Sequence, residues 1–196
     1  HRAVQEVGGG VGLGRHPGEL LDLQCHLEGG AVVGAAADDR TAGPAASGVE
    51  HASDRAEFKR PAHRCGVELY RAHIVRHAFE PHTHEAYGFG AIERGVERFR
   101  YRGSDHLAPA DSLVLMNPDE LHTGRAETAG GWRYRMVYVD ADVARAFTGG
   151  SDWGFDAAVA EDAPRARRVG HLLAALWCCD EPLAFDSTLA EIFDTL

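Results

Sequence analysis

Three histidines, His82, His84 and His122, are the residues of this chain whose type and spacing best suit chemistry. His82 and His84 form a His-x-His pair in Pro81-His82-Thr83-His84-Glu85. Side chains alternate along a strand, so both rings fall on one face and Glu85 on the other. His122 follows the turn sequence Asn117-Pro118-Asp119. Three neutral imidazoles together suit Zn, Fe or Ni, and an open coordination position would allow oxygen or hydrolytic chemistry. The other reading is that the rings are polar lining groups of a binding cavity.

The segments around them read as short strands. Ala86 to Glu93 is β-prone, and Glu93-Arg94-Gly95 reads as a hairpin turn. Apolar and charged residues then alternate from Val96 to Arg102, as in a strand with one wet face. Pro109-Ala110-Asp111 is a second turn, followed by the apolar run Leu113 to Met116. Trp132 to Val139 is another strand, with Trp132, Tyr134, Met136 and Tyr138 on one face. Several strands at this spacing predict an all-β sandwich or barrel.

From Val67 to Val139 the chain resembles the cupin barrel, and more narrowly the sensor domain of AraC/XylS-type transcriptional regulators. The resemblance rests on Pro81-His82-x-His84-x-x-Tyr87, on Phe99-Arg100-Tyr101-Arg102-Gly103, and on Ser112 to Met116 running into Asn117-Pro118-Asp119-Glu120-Leu121-His122. His82, His84 and Gly95 fit the first cupin motif, with Gly88 where that motif has a metal-binding Glu. In the second motif His122 takes the His position, while Asp111, Asn117, Asp119 and Ala126 depart from it. The match is partial for a cupin enzyme and good for an AraC-type sensor. It implies a jelly-roll barrel with a ligand held inside by His82, His84, Tyr87, Phe99, Tyr101, His122, Trp132 and Tyr134. Gly88 and Gly90 share the parity of the histidines and should leave cavity space beside them. Tyr70, Ile74 and Phe79 read as core. Arg98 and Arg100 share the opposite face, towards solvent or as a carboxylate clamp at the barrel mouth. His51, His63, His73, His77 and His106 receive no role.

Outside the barrel the reading is coarser. Gly8 to Gly14 has no strand before it and Pro17-Gly18 just after it, so it is not read as a dinucleotide loop. Glu19 to Gln24 could form a short helix, and 35–48 reads as linker. Residues 1–64 are therefore expected to be a poorly ordered extension, with the sensor barrel at 65–145. Trimming at about residue 60 should then barely change thermal stability. Residues 146–196 read as helical. One helix enters at Asp162-Ala163-Pro164 and carries Ala166, Val169, Leu172, Leu173, Leu176 and Trp177. A second starts at Asp186-Ser187-Thr188, with Thr188 and Glu191 as a capping box, and carries Leu189, Ile192, Phe193 and Leu196. By the resemblance these helices form a homodimer, and a helix-turn-helix domain follows Leu196.

The whole chain has a formal net charge of −10, and its C-terminal part is acidic. Nucleic-acid binding needs clustered Lys and Arg, so DNA is expected only through that further domain. No apolar stretch approaches a membrane span. The start His1-Arg2-Ala3 lacks an initiator Met and a signal pattern, as in a processed, trimmed or mis-started product. Cys25, Cys65, Cys178 and Cys179 lack CxxC spacing, which suits free thiols in the cytoplasm. The sum is an effector-sensing and dimerisation domain, not an enzyme, with no required cofactor. The competing reading is a metal-dependent cupin dioxygenase or isomerase using His82, His84 and His122. A third is a barrel with a purely structural role.

Overall fold

The computed structural model describes residues 54–150 and 153–196. The glycine run at 8–14, the candidate helix at 19–24, the linker at 35–48 and Cys25 lie outside the described residues. Nine strands are present among the described residues: β1 (Arg55–Lys59), β2 (Val67–Ile74), β3 (Ala78–His82), β4 (Ala86–Tyr101), β5 (Ser104–Pro109), β6 (Leu113–Met116), β7 (His122–Ala126), β8 (Trp132–Asp140) and β9 (Val159–Ala160). Three helices accompany them: α1 (Ala141–Thr148), α2 (Ala163–Cys178) and α3 (Pro182–Thr195). Every strand pairing is antiparallel.

The long strand β4 joins two walls of a jelly-roll barrel. Its first half pairs with β6 and β8, in the order β1-β2-β8-β4-β6-β9. Its second half pairs with β5 and β7, and β7 pairs with β3. The expected hairpin at Glu93-Arg94-Gly95 does not form. The chain instead runs straight on through a register shift between Ile92 and Arg94. Gly95 takes a φ of 76° there, where a Cβ would come within 2.0 Å of the Gly131 carbonyl oxygen. A bulge of this kind bends a strand from one wall to the next without reversing it. The reversal comes later, at Arg102 and Gly103, both with positive φ. The turns expected at Asp111 and Asn117 to Asp119 are present, with Asp111 and Asp119 also left-handed.

The strand faces divide the core in two. Phe89, Ala91, Val137 and Val139 face outward and pack with the helices. Tyr70, Ile92, Phe99, Trp132, Tyr134 and Met136 fill the barrel. Gly90 lies where β4 and β8 approach most closely: a Cβ would stand 1.9 Å from the Arg135 carbonyl oxygen and 2.6 Å from Met136 Sδ. Gly90→Ala must therefore push the two strands apart. A loss of at least ~3 kcal/mol is expected, and urea unfolding would measure it.

The barrel begins earlier than residue 65. β1 pairs along its whole length with β2, and the Phe58 ring lies 4.5 Å from the Tyr70 ring. Just before β1, the Asp54 carboxylate accepts from the backbone N–H groups of Val75, Arg76 and His77 at 2.6–2.9 Å. These bonds hold the carboxyl below its usual range against the opposing effect of partial burial.

α2 starts as the sequence predicts, with Asp162 accepting from the Arg165 N–H and Pro164 in the first turn. α3 starts earlier than predicted. Glu181 caps it by accepting from the N–H groups of Leu183 and Ala184, and Pro182 sets the first helical φ. Thr188 lies inside the helix and donates its hydroxyl to the Ala184 carbonyl, so it is not a cap. The apolar stripes of both helices, including Val169, Leu173, Leu176, Phe185, Leu189 and Ile192, are spent on the outer wall of the barrel. No described helix is long and apolar enough to cross a membrane.

Candidate functional site

His82 ends β3 and His122 begins β7, directly opposite in register. Their ring centroids are 4.3 Å apart. His84 lies in the short link to β4, 5.0 Å from each of the other two rings. The link is held in place because Asp119 donates its N–H to the His84 carbonyl at 2.7 Å. The turn before His122 thus also fixes His84, and sequence neighbours of all three rings cooperate in one small structure. One ring nitrogen from each histidine lies within 4.8 Å of the others.

The protonation of two rings follows from their partners. His82 Nδ1 contacts the Glu80 carbonyl at 2.6 Å, and His122 Nδ1 contacts the Glu120 carbonyl at 2.8 Å. A carbonyl only accepts, so both Nδ1 atoms carry the proton and both Nε2 lone pairs are free. His84 Nε2 is buried with no hydrogen-bond partner. Burial holds all three imidazoles below their ordinary pKa, His122 down to about 4, and the neighbouring rings add to the effect for His84 and His122. The cluster is therefore neutral and rich in lone pairs at physiological pH.

The His82 and His122 rings face a cavity of about 30 Å³ that opens outward and is lined also by Phe79, Glu97, Tyr134, Met136 and Tyr138. The sequence reading anticipated His82, His122 and Tyr134 in this lining, and His84 beside it. Phe99, Tyr101 and Trp132 are inside the barrel but packed away from the cavity. Phe99 stacks on His106, Trp132 stacks on Tyr134, and the Tyr101 hydroxyl accepts from the Asn117 N–H. Tyr87 points to the helix side and donates its hydroxyl to the Trp153 carbonyl at 2.7 Å. Gly88 and Gly90 leave no free space: the Tyr138 ring covers Gly88, and Arg135 and Met136 crowd Gly90. The ring of Tyr138 thus stands beside His84, 4.6 Å away, where the first cupin motif would have its carboxylate. Arg98 is tied to Glu127 by two hydrogen bonds at 2.6 and 2.8 Å, and Arg100 is exposed.

Several lining residues escaped the sequence reading, Phe79 and Glu97 among them. Phe79, expected in the core, is at the cavity wall. Glu97 is 7% exposed, and burial pushes its carboxyl up to about 8. The signal for Glu97 was present, because it shares the parity of Phe99 and Tyr101 on β4.

A jelly-roll barrel with a neutral imidazole cluster at the mouth of its interior defines a small-ligand-binding domain. The family model of the AraC-like ligand binding domain matches residues 64–192. The chain belongs to that family. No curated protein matches it. Among solved structures it is similar to a cupin-like protein from Thermotoga maritima, at 12% identity and a TM-score of 0.42, covering 46% of this chain and 71% of that one. It is also similar to KdgF from a Halomonas species, at 14% identity and a TM-score of 0.38, covering 45% and 81%. A mutant of Bacillus subtilis oxalate decarboxylase OxdC matches at 16% identity and a TM-score of 0.34, covering 38% of this chain and 21% of that one.

Proposed function

We propose that this chain is the effector-sensing and dimerisation domain of an AraC-type transcriptional regulator. In this reading a small molecule binds inside the barrel, against His82, His84, His122 and Tyr134. The observation that carries it is the cluster of neutral imidazoles facing a cavity, within a chain of the AraC-like ligand-binding family. Binding would bias how the barrel and helices sit relative to a helix-turn-helix domain expected after Leu196. Such a bias requires different ligand affinities in the two arrangements. Homodimerisation through α2 and α3 is part of the proposal. It would have to use their outer surfaces, since their apolar stripes face the barrel. A cytoplasmic setting agrees with Cys65, Cys178 and Cys179, which form no disulfide among the described residues. A cavity of about 30 Å³ has room for a few waters at most, so the effector either is small or enters head first as the mouth opens. His122→Ala and His84→Ala are expected to lower effector response in a reporter strain at least tenfold while the barrel stays folded. Normal response in both variants would move the binding site elsewhere.

A specific observation favours a metal as well. The Nδ1–H to carbonyl bonds of His82 and His122 aim their Nε2 lone pairs, as the outer-shell partners of metal-bound histidines do. With the buried, unpartnered His84 Nε2, the donor set fits a divalent transition metal held by His82, His84 and His122. Bound there, a metal would supply a Lewis acid to which an effector oxygen could coordinate. Titration with Zn and Ni is expected to raise the melting temperature of the intact chain but not of His82→Ala. An equal rise in both would place the metal outside this cluster.

A further inference from the structure

Glu97 is an acid with no hydrogen-bond partner among the described residues. It projects from β4 into the barrel, is buried, and lines the same cavity as His82 and His122. Gly124, on the neighbouring strand, leaves room for its carboxyl: a Cβ there would come within 3.0 Å of Glu97 Oε1. Among the described residues, no donor hydrogen-bonds it and no Lys or Arg lines the cavity. Arg98 and Arg125, the nearest in the strand register, pair with one another across β4 and β7, on residues of opposite parity to Glu97. A buried carboxyl left unpaired costs free energy that a suitable ligand would recover.

The rest of the wall points to the same kind of ligand. The imidazole lone pairs of His82 and His122 accept hydrogen bonds. The rings of Phe79, Tyr134 and Tyr138 offer faces with negative potential. An anionic effector would meet an acid and neutral imidazoles, with no cation to receive it. From this we infer that the effector carries a protonated amine, and that Glu97 is the residue that recognises it. The ammonium head would donate to the Glu97 carboxylate, whose proton passes to solvent on binding, and sit against the aromatic wall in a charge-assisted bond. A cavity of about 30 Å³ suits such a head, with the remainder of the molecule extending through the mouth. This inference rests on the effector-sensing reading and narrows it to a ligand class.

Three probes of matched size test it on the metal-free chain: n-propylammonium, n-propanol and propionate, followed by calorimetry. Propylammonium is expected to bind the native chain and to bind Glu97→Gln at least tenfold more weakly, with no heat from the other two. Gly124→Ala, which crowds the carboxyl, should also weaken propylammonium and covers the case in which Glu97→Gln fails to fold. Equal propylammonium affinity in the folded variants would overturn the inference, as would no propylammonium binding at all. Binding of propanol or propionate that disappears in His122→Ala would overturn the amine class while leaving the barrel as the effector site. Failure of all three probes, together with unchanged effector response in His122→Ala and His84→Ala, would remove the underlying reading too.

Discussion

Freed of metal, the chain is expected to be most stable at about pH 7 and to lose stability above it, with a Glu97 contribution of about 1.7 kcal/mol between pH 6.5 and 8. Glu97 causes the loss. Its carboxyl is pushed from 4.5 in the unfolded chain up to about 8 in the barrel. Between those values the folded state holds a proton that the unfolded state has released. Its stabilising contribution is complete below pH 4.5 and disappears as the pH rises through 8, at ~1.4 kcal/mol for each pH unit. The histidines have the opposite sign. His82, His84 and His122 are all held below 6.5, so unfolding takes up protons in acid. Their contribution is complete above pH 6.5 and is lost as the pH falls, for His122 towards about 4. Below pH 6.5 the three histidines outweigh the single acid. Just above pH 6.5 the imidazoles of the unfolded chain still release protons, which offsets part of the Glu97 loss until about pH 7.5. In Glu97→Gln the alkaline fall should vanish while the acid fall remains. Melting temperature followed across this range should show the native chain falling by ~3–7 °C relative to the variant. A difference between native chain and variant that stays constant above pH 6.5 would mean that Glu97 is hydrated or paired.

The second large effect concerns β1. A chain starting at Pro61 is expected to be at least ~3–5 kcal/mol less stable than one starting at Asp54. The cut removes the β1 ladder, the Phe58–Tyr70 contact and the Asp54 carboxylate that holds residues 75–77. It also removes Lys59, whose Nζ donates to the Trp177 carbonyl at 2.9 Å and to Asp180 at 2.7 Å at the end of α2. Charged hydrogen bonds are each worth ~1.5–3 kcal/mol when well formed, and less where exposed, as Asp180 is. Asp54→Ala alone should account for about 2 kcal/mol of the total. Thermal unfolding of the two truncations gives the comparison. Equal melting temperatures would restore the boundary near residue 64 that the sequence suggested.

That boundary shows what the sequence hides. Arg55-Ala56-Glu57-Phe58-Lys59 alternates charged and apolar residues, but it is short and has one large apolar side chain, so its period-two signal is weak. It is an edge strand defined by its pairing with β2, the next strand in the chain. Gly95 misled for a related reason: a positive-φ glycine serves a bulge as well as a turn. Periodicity did locate β8, β6 and α2, where one face is continuously apolar. The imidazole cluster was legible because His82 and His84 are close in sequence and His122 follows a recognisable turn. The cavity wall was less so. Parity sorts inward from outward, but it does not distinguish an inward ring that lines a space, such as Tyr134, from one that fills it, such as Phe99 or Trp132. Tyr87 was drawn in by resemblance alone, although its parity on β4 is that of Phe89, which faces the helices.

The most direct test of the central claim is metabolite capture. The native chain and His122→Ala would each be incubated with a small-molecule extract, washed and denatured, and the released compounds identified by mass spectrometry. A barrel-bound effector predicts at least one compound that is enriched on the native chain and lost from the folded variant. The same compounds released from both proteins, or none from either, would contradict an effector site at the imidazole cluster.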